Sequence, residues 1–170
     1  QKILASKGAT VDQLASTADQ FVDFAELARR ALAKEWQKLT KKQRDQFSET
    51  MKGLLRASYA QKALRDSPEH AAANVVYGAE TLRGNEADVS TLLEIKKDKF
   101  PVVYRLYRPS SVGRWKVYDV ITDDVSLVST YRDQFRKLIA ERGTEGLLVS
   151  LKAKKEQLEK AATPTARASN

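Results

Sequence analysis

Residues Gly113–Val128 read GRWKVYDVITDDVSLV, and this stretch decides the fold class. Its first half alternates polar and apolar side chains, the period-two pattern of a β-strand. Its second half leads at Leu127 into a run with apolar side chains at helical spacing. The block has no set of catalytic groups, and it is richer in aromatic and aliphatic side chains than a small sheet needs for its core. It therefore favours binding of an apolar molecule over chemistry on a polar one.

Strict alternation assigns the side chains of this predicted strand to two faces. We expect one face to carry Trp115, Val117 and Asp119, and the other to carry Lys116, Tyr118 and Val120.

Three further strands are predicted before this one. Alternating runs begin near Val75, Val89 and Val102, and Gly84-Asn85 is a turn signal between the first two. Because short turns separate all four strands, the pattern predicts an antiparallel meander.

Helical patterns flank the predicted sheet. Before Ser67-Pro68, apolar spacing predicts helices over residues 10–22, 23–36 and 40–64, with N-cap signals at Asp23 and Thr40. After the sheet, one helix is predicted to stop at Gly143 and another to begin at Thr144. The fold class is therefore α+β: a four-stranded curved antiparallel sheet packed by about five helices. Such an arrangement forms a cone that can be filled by side chains or left open as an apolar ligand cavity.

The composition indicates one globular domain. The chain has 170 residues and no cysteine, so disulfides and thiolate metal sites are impossible. We predict a single domain over residues 1–160 and a disordered tail over residues 161–170, which are rich in Ala and Thr. The chain begins at Gln1 without Met, as expected of a processed or trimmed chain. No apolar run approaches the roughly 18 residues of a membrane span.

A net charge of +8 raises the question of a nucleic-acid partner. Lys and Arg are spread through nearly every segment and interleaved with Asp and Glu. This pattern favours a solvated basic surface, with attraction to an anionic membrane as the remaining alternative. We expect no nucleic-acid partner.

Three blocks of the chain resemble the MlaC family of periplasmic phospholipid-binding proteins, also called the toluene-tolerance auxiliary family. The blocks are Phe21–Trp36, Thr40–Gln61 and, most specific, Trp115–Leu151, and they follow the family in order and spacing. The chain departs from the family pattern at Asp124, where the family usually has Gly, and in a shorter N-terminal helix.

The resemblance implies a fold similar to nuclear-transport-factor-2-like proteins. It implies a periplasmic carrier that holds phospholipid acyl chains in an apolar cavity and needs no cofactor or metal. The implied partners are an inner-membrane ABC transporter complex with its lipid-binding hexamer and an outer-membrane lipoprotein complex, with the carrier itself a monomer. A close subfamily is associated with hopanoid genes, so a hopanoid or another hydrophobic ligand remains an alternative.

Candidate lipid-binding residues are the apolar positions predicted to face inward from the sheet and the helices. Arg105 is added because it could meet a lipid phosphate at the cavity mouth. For each apolar position, an ordinary core role is an equally open interpretation. The candidates are Phe24, Leu27, Leu32, Met51, Leu55, Tyr77, Leu93, Tyr104, Arg105, Leu106, Trp115, Val117, Val128 and Tyr131.

An enzyme is the main rival interpretation. Asp119 is the one carboxylate that could act as a general base, and His70, the only histidine, lies in a predicted loop. No Ser-His-Asp set accompanies them, so we expect no enzymatic activity. If Asp119 is buried it needs a partner, for which Arg29 and Arg132 are candidates; a surface position is equally open.

Overall fold

A computed structural model describes residues 20–65, 74–95, 97–110 and 112–162. The elements are α1 (Phe24–Leu32), α2 (Glu35–Lys38), α3 (Lys41–Arg65), β1 (Asn74–Arg83), β2 (Glu86–Ile95), β3 (Asp98–Tyr107), β4 (Lys116–Thr122), β5 (Val125–Ser126) and α4 (Leu127–Ala162). Gly143 breaks α4 into two helical parts. This order of helices, antiparallel sheet and helices confirms the α+β prediction.

Some predictions fall on other parts of the chain. Most of the helix expected over residues 10–22, the break at Ser67-Pro68 and His70 lie outside the described residues, as do residues 163–170 of the predicted tail. Ala161 and Ala162, also assigned to that tail, belong to α4.

Capping interactions fix the starts of the first helices. The Asp23 carboxylate accepts a hydrogen bond from the Glu26 backbone N–H at 2.9 Å, as predicted for an N-cap. Thr40 and Gln43 form a reciprocal capping box, in which the Thr40 N–H donates to Gln43 Oε1 at 2.9 Å and the Gln43 N–H donates to Thr40 Oγ1 at 3.3 Å. These bonds satisfy amides that a helix start would otherwise leave unpaired.

The sheet is an antiparallel meander in the order β1-β2-β3-β4-β5. The prediction of four strands is wrong by one. The fifth strand, Val125–Ser126, is only two residues long and pairs with the end of β4. Two residues are too few to show alternation, so the sequence pattern could not reveal this strand.

Strand register gives the sheet two chemically different faces, because directly opposed residues on neighbouring strands share a face. We call the mainly apolar side the apolar sheet face. It carries Val75, Tyr77, Leu82, Ala87, Val89, Thr91, Leu93, Ile95, Phe100, Val102, Tyr104, Leu106, Val117 and Val120, accompanied by Glu80, Asp98 and Thr122. The opposite side, which we call the polar sheet face, carries Glu86, Asp88, Arg105, Tyr107, Tyr118 and Asp119 together with the apolar residues Val76, Leu92, Pro101, Val103 and Ile121.

A β-bulge in β4 corrects the predicted assignment of faces. Val117 pairs with Leu106 and Asp119 pairs with Arg105, so Tyr118 is the extra residue on β4. As a result Asp119 lies on the polar sheet face together with Tyr118, and Val117 shares the apolar sheet face with Val120. The predicted grouping of Trp115, Val117 and Asp119 on one face is therefore wrong. Strict alternation fails wherever one strand carries an extra residue.

Helices α1, α3 and α4 bury a core of their own, which we call the helical core. Phe47 of α3 meets Phe135 of α4 edge to face, with ring centroids 5.4 Å apart. The buried members are Leu27, Ala28, Ala31, Leu32, Leu39, Phe47, Met51, Leu54, Leu55, Ala57, Val128, Phe135, Leu147, Leu151 and Leu158. Among the described residues, no sheet side chain belongs to this cluster.

Helix α1 is attached to the polar sheet face through Arg30. Its guanidinium donates to Glu86 at 2.6 Å and lies 3.6 Å from the ring centroid of Tyr118. The Tyr107 hydroxyl donates to Asp23 at the start of α1. Burial and this hydrogen bond to the Asp23 carboxylate raise the pKa of the Tyr107 phenol above its ordinary value. These contacts join α1 to the polar sheet face and leave the apolar sheet face on the other side.

Candidate functional site

The apolar sheet face combines a buried middle with an open margin. Val102 is only 3% exposed, whereas Tyr77 is 61%, Leu82 is 68% and Phe100 is 45% exposed. Large apolar side chains are normally removed from water, and a group left open beside a buried strip marks a site for a ligand or a partner. This face is therefore the candidate functional site.

Register brings together five of the sheet residues predicted to line a site. Tyr77, Leu93, Tyr104, Leu106 and Val117 all lie on the apolar sheet face. They come from four consecutive strands, so the meander assembles them from positions up to 40 residues apart in sequence.

Sequence reasoning missed several members of the same face. They are Val75, Leu82, Ala87, Val89, Thr91, Phe100, Val102 and Val120. Most of them could have been found from the alternation within β1 to β3. The two-residue turn at Gly84-Asn85 fixes the register of β1 against β2 and so shows which residues share a face.

Trp115, predicted to lie on the fourth strand, lies outside it in the structure. It precedes β4, which begins at Lys116, and so it is not a strand residue. The Arg108 guanidinium carbon lies 4.9 Å from the centroid of the Trp115 ring, a cation–π distance.

The helical residues predicted to line the site belong to the helical core. Leu27, Leu32, Met51, Leu55 and Val128 are buried there, and partly buried Phe24 and Tyr131 pack against the same cluster. Within the described part of the chain, the structure therefore divides the predicted lining into a helical set and a sheet set.

Arg105 lies on the opposite side of the sheet from the apolar residues. Its guanidinium is 3.4 Å from an Asp119 carboxylate oxygen and 3.9 Å from one of Asp88. The structure thus gives Arg105 two carboxylate partners on the polar sheet face, and does not bring it together with the other candidates.

Asp119 is buried, with 1% of its surface exposed, and both carboxylate oxygens are engaged. Oδ1 accepts from the backbone N–H groups of Val120 at 2.9 Å and Val128 at 3.0 Å. Oδ2 accepts from the Ser126 hydroxyl at 2.7 Å and from Arg105 at 3.4 Å. The carboxylate therefore joins β4 to the start of α4, and these four bonds leave it poorly placed to accept a proton from a substrate.

The partners suggested for Asp119 from sequence are wrong. Arg29 instead binds Glu26 at 2.6 Å, and Arg132 donates to the backbone carbonyl of Arg30 at 3.1 Å. Arg105 is the partner because it stands directly opposite Asp119 on β3.

A small polar cleft of about 220 Å³ lies where α1, α3 and β4 meet. Pockets for drug-sized ligands are typically about 300–1,000 Å³ and mostly apolar, so this cleft cannot hold two acyl chains. Its lining residues are Val22, Asp23, Phe24, Ala25, Ser48, Glu49, Lys52 and Lys116.

Among the described residues, no group of three or more His, Cys, Asp and Glu residues is arranged to hold a metal ion. No helix described there combines the length and the apolar character needed to cross a bilayer.

Comparison with known proteins identifies a family and solved structures of similar fold. The sequence model of the MlaC protein family matches residues 1–153. No curated protein matches the sequence. A phospholipid-binding protein from Ralstonia solanacearum, solved in complex with a phospholipid, superposes with a TM-score of 0.75 at 25% sequence identity. The alignment covers 90% of this chain and 86% of that one.

Proposed function

The chain belongs to the MlaC family, and from this premise we propose that it is a phospholipid carrier. The observation that carries the proposal is the apolar sheet face, whose residues Tyr77, Leu82 and Phe100 stay open to contact an apolar molecule. The solved relative of similar fold holds a phospholipid, which supports a phospholipid as the ligand of this chain. Binding and transport, rather than catalysis, fit both observations.

The energetics of the acyl chains explain why such a face is needed. A two-chain lipid has about 28 methylenes, and exposing them to water would cost on the order of 20 kcal/mol at roughly 0.8 kcal/mol each. A carrier must therefore cover both chains. Since a bilayer interior is as apolar as a protein cavity, transfer between them can be nearly neutral and reversible. We infer that the direction of transfer is set by the partners of the carrier.

We propose that the apolar sheet face forms one wall of a cone-shaped cavity of the nuclear-transport-factor-2-like type. Leu93, Tyr104 and Leu106 would contact the acyl chains from this wall, where half-buried aliphatic and aromatic side chains are grouped. The head group can stay in water, so it needs no tight polar pocket.

The site of action and the partners are also proposals, supported by family membership. We propose that the chain works as a monomer in the periplasm. There it would exchange phospholipid between an inner-membrane ABC transporter complex with its lipid-binding hexamer and an outer-membrane lipoprotein complex.

The test is native mass spectrometry of the protein purified from a Gram-negative host, followed by extraction and identification of the bound molecule. We expect a stoichiometric phospholipid adduct. A hopanoid adduct would show that the ligand is a hopanoid, the alternative considered above, and not a phospholipid. A ligand-free mass that persists after incubation with phospholipid vesicles would contradict the proposed function.

A further inference from the structure

The two edges of the sheet differ in how they are protected. At the β4 edge, the backbone pairs with β5 at Thr122 and with Val22 at Val117. At the other edge, β1 is ten residues long, and no strand among the described residues pairs with its outer side. Nine of its ten residues are exposed. The backbone N–H and C=O groups along this side can therefore pair with an added strand.

The first half of β1 lacks the features with which proteins usually block such an edge, namely proline, charged side chains and bulges. The bulge in β1 lies between Tyr77 and Glu80, and the charged residues of the strand, Glu80 and Arg83, follow it. The segment Asn74–Tyr77 reads Asn-Val-Val-Tyr, with no charge and no proline. Its side chains are also open, since Val76 is 44% and Tyr77 is 61% exposed.

We propose that this edge pairs with the same edge of a second copy of the chain. A two-fold axis through Val76, perpendicular to the sheet, pairs Asn74–Gly78 with itself in antiparallel orientation. Val76 then faces Val76 of the second copy, and Val75 faces Tyr77 of the second copy. Aromatic and β-branched residues placed opposite each other stabilise neighbouring strands. Because the axis is perpendicular to the sheet, the two apolar sheet faces lie on the same side of the combined sheet.

Two other registers along β1 are less favourable than the one centred on Val76. A centre at Thr81 would set the Glu80 carboxylate opposite Leu82, and a centre near Gly78 would bring the two bulges together. The Val76 centre avoids both and leaves every charged side chain of β1 outside the paired segment. A second copy therefore matches the edge without placing like charges opposite each other.

The expected pair is weak and reversible. Five residues from each copy bury much less than the roughly 1,200 Å² of the smaller stable complexes, so we expect monomers at about 5 μM and a growing fraction of pairs towards about 500 μM. The inference goes beyond the proposed function, in which the monomer is the working form. Because two-fold pairing uses the β1 edge of both copies, the assembly stops at two.

The experiment is sedimentation equilibrium of the full chain between about 5 μM and about 500 μM. We expect the mean mass to rise with concentration from that of one chain towards that of two. A mass that stays at one chain throughout would overturn the second copy as the partner. A mass that passes beyond two chains would overturn the two-fold pairing.

The variant Val76→Lys tests the register. It sets two like charges opposite each other at the two-fold axis, and we expect pairing to weaken at least about fivefold. The matched control is Thr81→Lys, which adds the same charge at an exposed position on the same face of β1, outside the paired segment. We expect Thr81→Lys to pair like the wild type. Equal weakening in the two variants would overturn the register.

A mixture of two variants separates the effect of the axis from an effect on the fold. Val76→Glu alone should weaken pairing as Val76→Lys does, whereas an equimolar mixture of the two proteins sets opposite charges at the axis. We expect the mixture to pair more tightly than either variant alone, and circular dichroism checks that both variants are folded. A mixture that pairs no better than its components would overturn the two-fold axis at Val76.

Discussion

The turn between β4 and β5 places two consecutive Asp residues in a backbone conformation that few residues other than Gly, Asn and Asp adopt. Asp123 and Asp124 have φ angles of 51° and 60°, in the left-handed region. Two-residue hairpin turns of this type prefer Asn or Asp followed by Gly. Asp123 satisfies that preference and Asp124 does not. Asp124 therefore occupies the position that favours Gly, and its backbone there is strained.

Replacing Asp124 with Gly should relieve this strain. A left-handed backbone costs most L-residues about 1–2 kcal/mol, and the greater flexibility of Gly in the unfolded chain cancels part of the gain. We expect Asp124→Gly to raise the free energy of unfolding by about 0.5 kcal/mol and Asp124→Ala to lower it by about 1 kcal/mol. Urea unfolding measures both. A Gly variant less stable than the Ala variant would contradict this account.

Glu26 makes the free energy of unfolding depend on pH in the acidic range. Burial alone would raise the pKa of its carboxyl, but hydrogen bonds and charge from Arg29 and Arg30 outweigh burial and lower the pKa. A carboxyl with a lowered pKa in the folded state stabilises the protein above its unfolded pKa of about 4.3. That stabilisation is lost as pH falls through the pKa of the folded state.

The variant Glu26→Gln, which cannot ionise, tests this dependence. We expect it to be less stable than the wild type at pH 7 by about 1 kcal/mol and to approach the wild type below about pH 4. Thermal unfolding across this pH range measures the difference. A difference that stays constant with pH would show that the Glu26 charge does not contribute.

At the scale of elements, Arg30 is one of the side chains that connect α1 to the sheet. Its guanidinium binds Glu26 within α1 and Glu86 on β2, and covers the ring of Tyr118 on β4. Removing it leaves two carboxylates without their shared cation and opens the contact between the helix and the polar sheet face.

We expect Arg30→Met to lower the free energy of unfolding by about 1–2 kcal/mol, because Arg30 is only 22% exposed and its replacement removes the ion pairs with Glu26 and with the more exposed Glu86 together with the contact with the Tyr118 ring. Arg29→Met is the matched control. Arg29 binds the same Glu26, but 49% of its side chain is exposed against 22% for Arg30, so its loss should cost less than about 1 kcal/mol. Chemical denaturation compares the two variants. Equal costs would show that the Glu86 and Tyr118 contacts add nothing.

Most elements could be predicted from the sequence because their signals are local. Alternation predicted β1 to β3, cap residues at Asp23 and Thr40 predicted helix starts, and Gly143 predicted the break in α4. The bulge at Tyr118 and the partner of Asp119 could not be predicted, since both depend on which residue of β3 faces which residue of β4. Register across strands is a property of the assembled sheet.

At the scale of the whole molecule, two apolar regions are kept apart. The helical core is closed by α1, α3 and α4, while the apolar sheet face keeps large side chains open. Sequence periodicity identifies an apolar position in either region but does not say to which region it belongs. This is why the predicted site mixed core residues such as Met51 with sheet residues such as Leu93.

The two faces of one strand provide a test of the site. Leu92 and Leu93 are neighbours on β2 and are both half-buried, but register places only Leu93 on the apolar sheet face. We expect Leu93→Glu to reduce the fraction of lipid-loaded protein at least about tenfold, because a carboxylate there would be desolvated by the acyl chains. Leu92→Glu should load normally. Native mass spectrometry measures loading, and equal loss in both variants would contradict the assignment of the face.

The meander order of the sheet also has a kinetic consequence. Every strand pairs with its immediate neighbours in sequence, so the sheet can zip together hairpin by hairpin with short loops to close. The attachment of α1 is different, since Arg30 and Glu86 are 56 residues apart. Closing that long loop is entropically slower, so we infer that hairpins are the early structures on the folding pathway and that docking of α1 comes late.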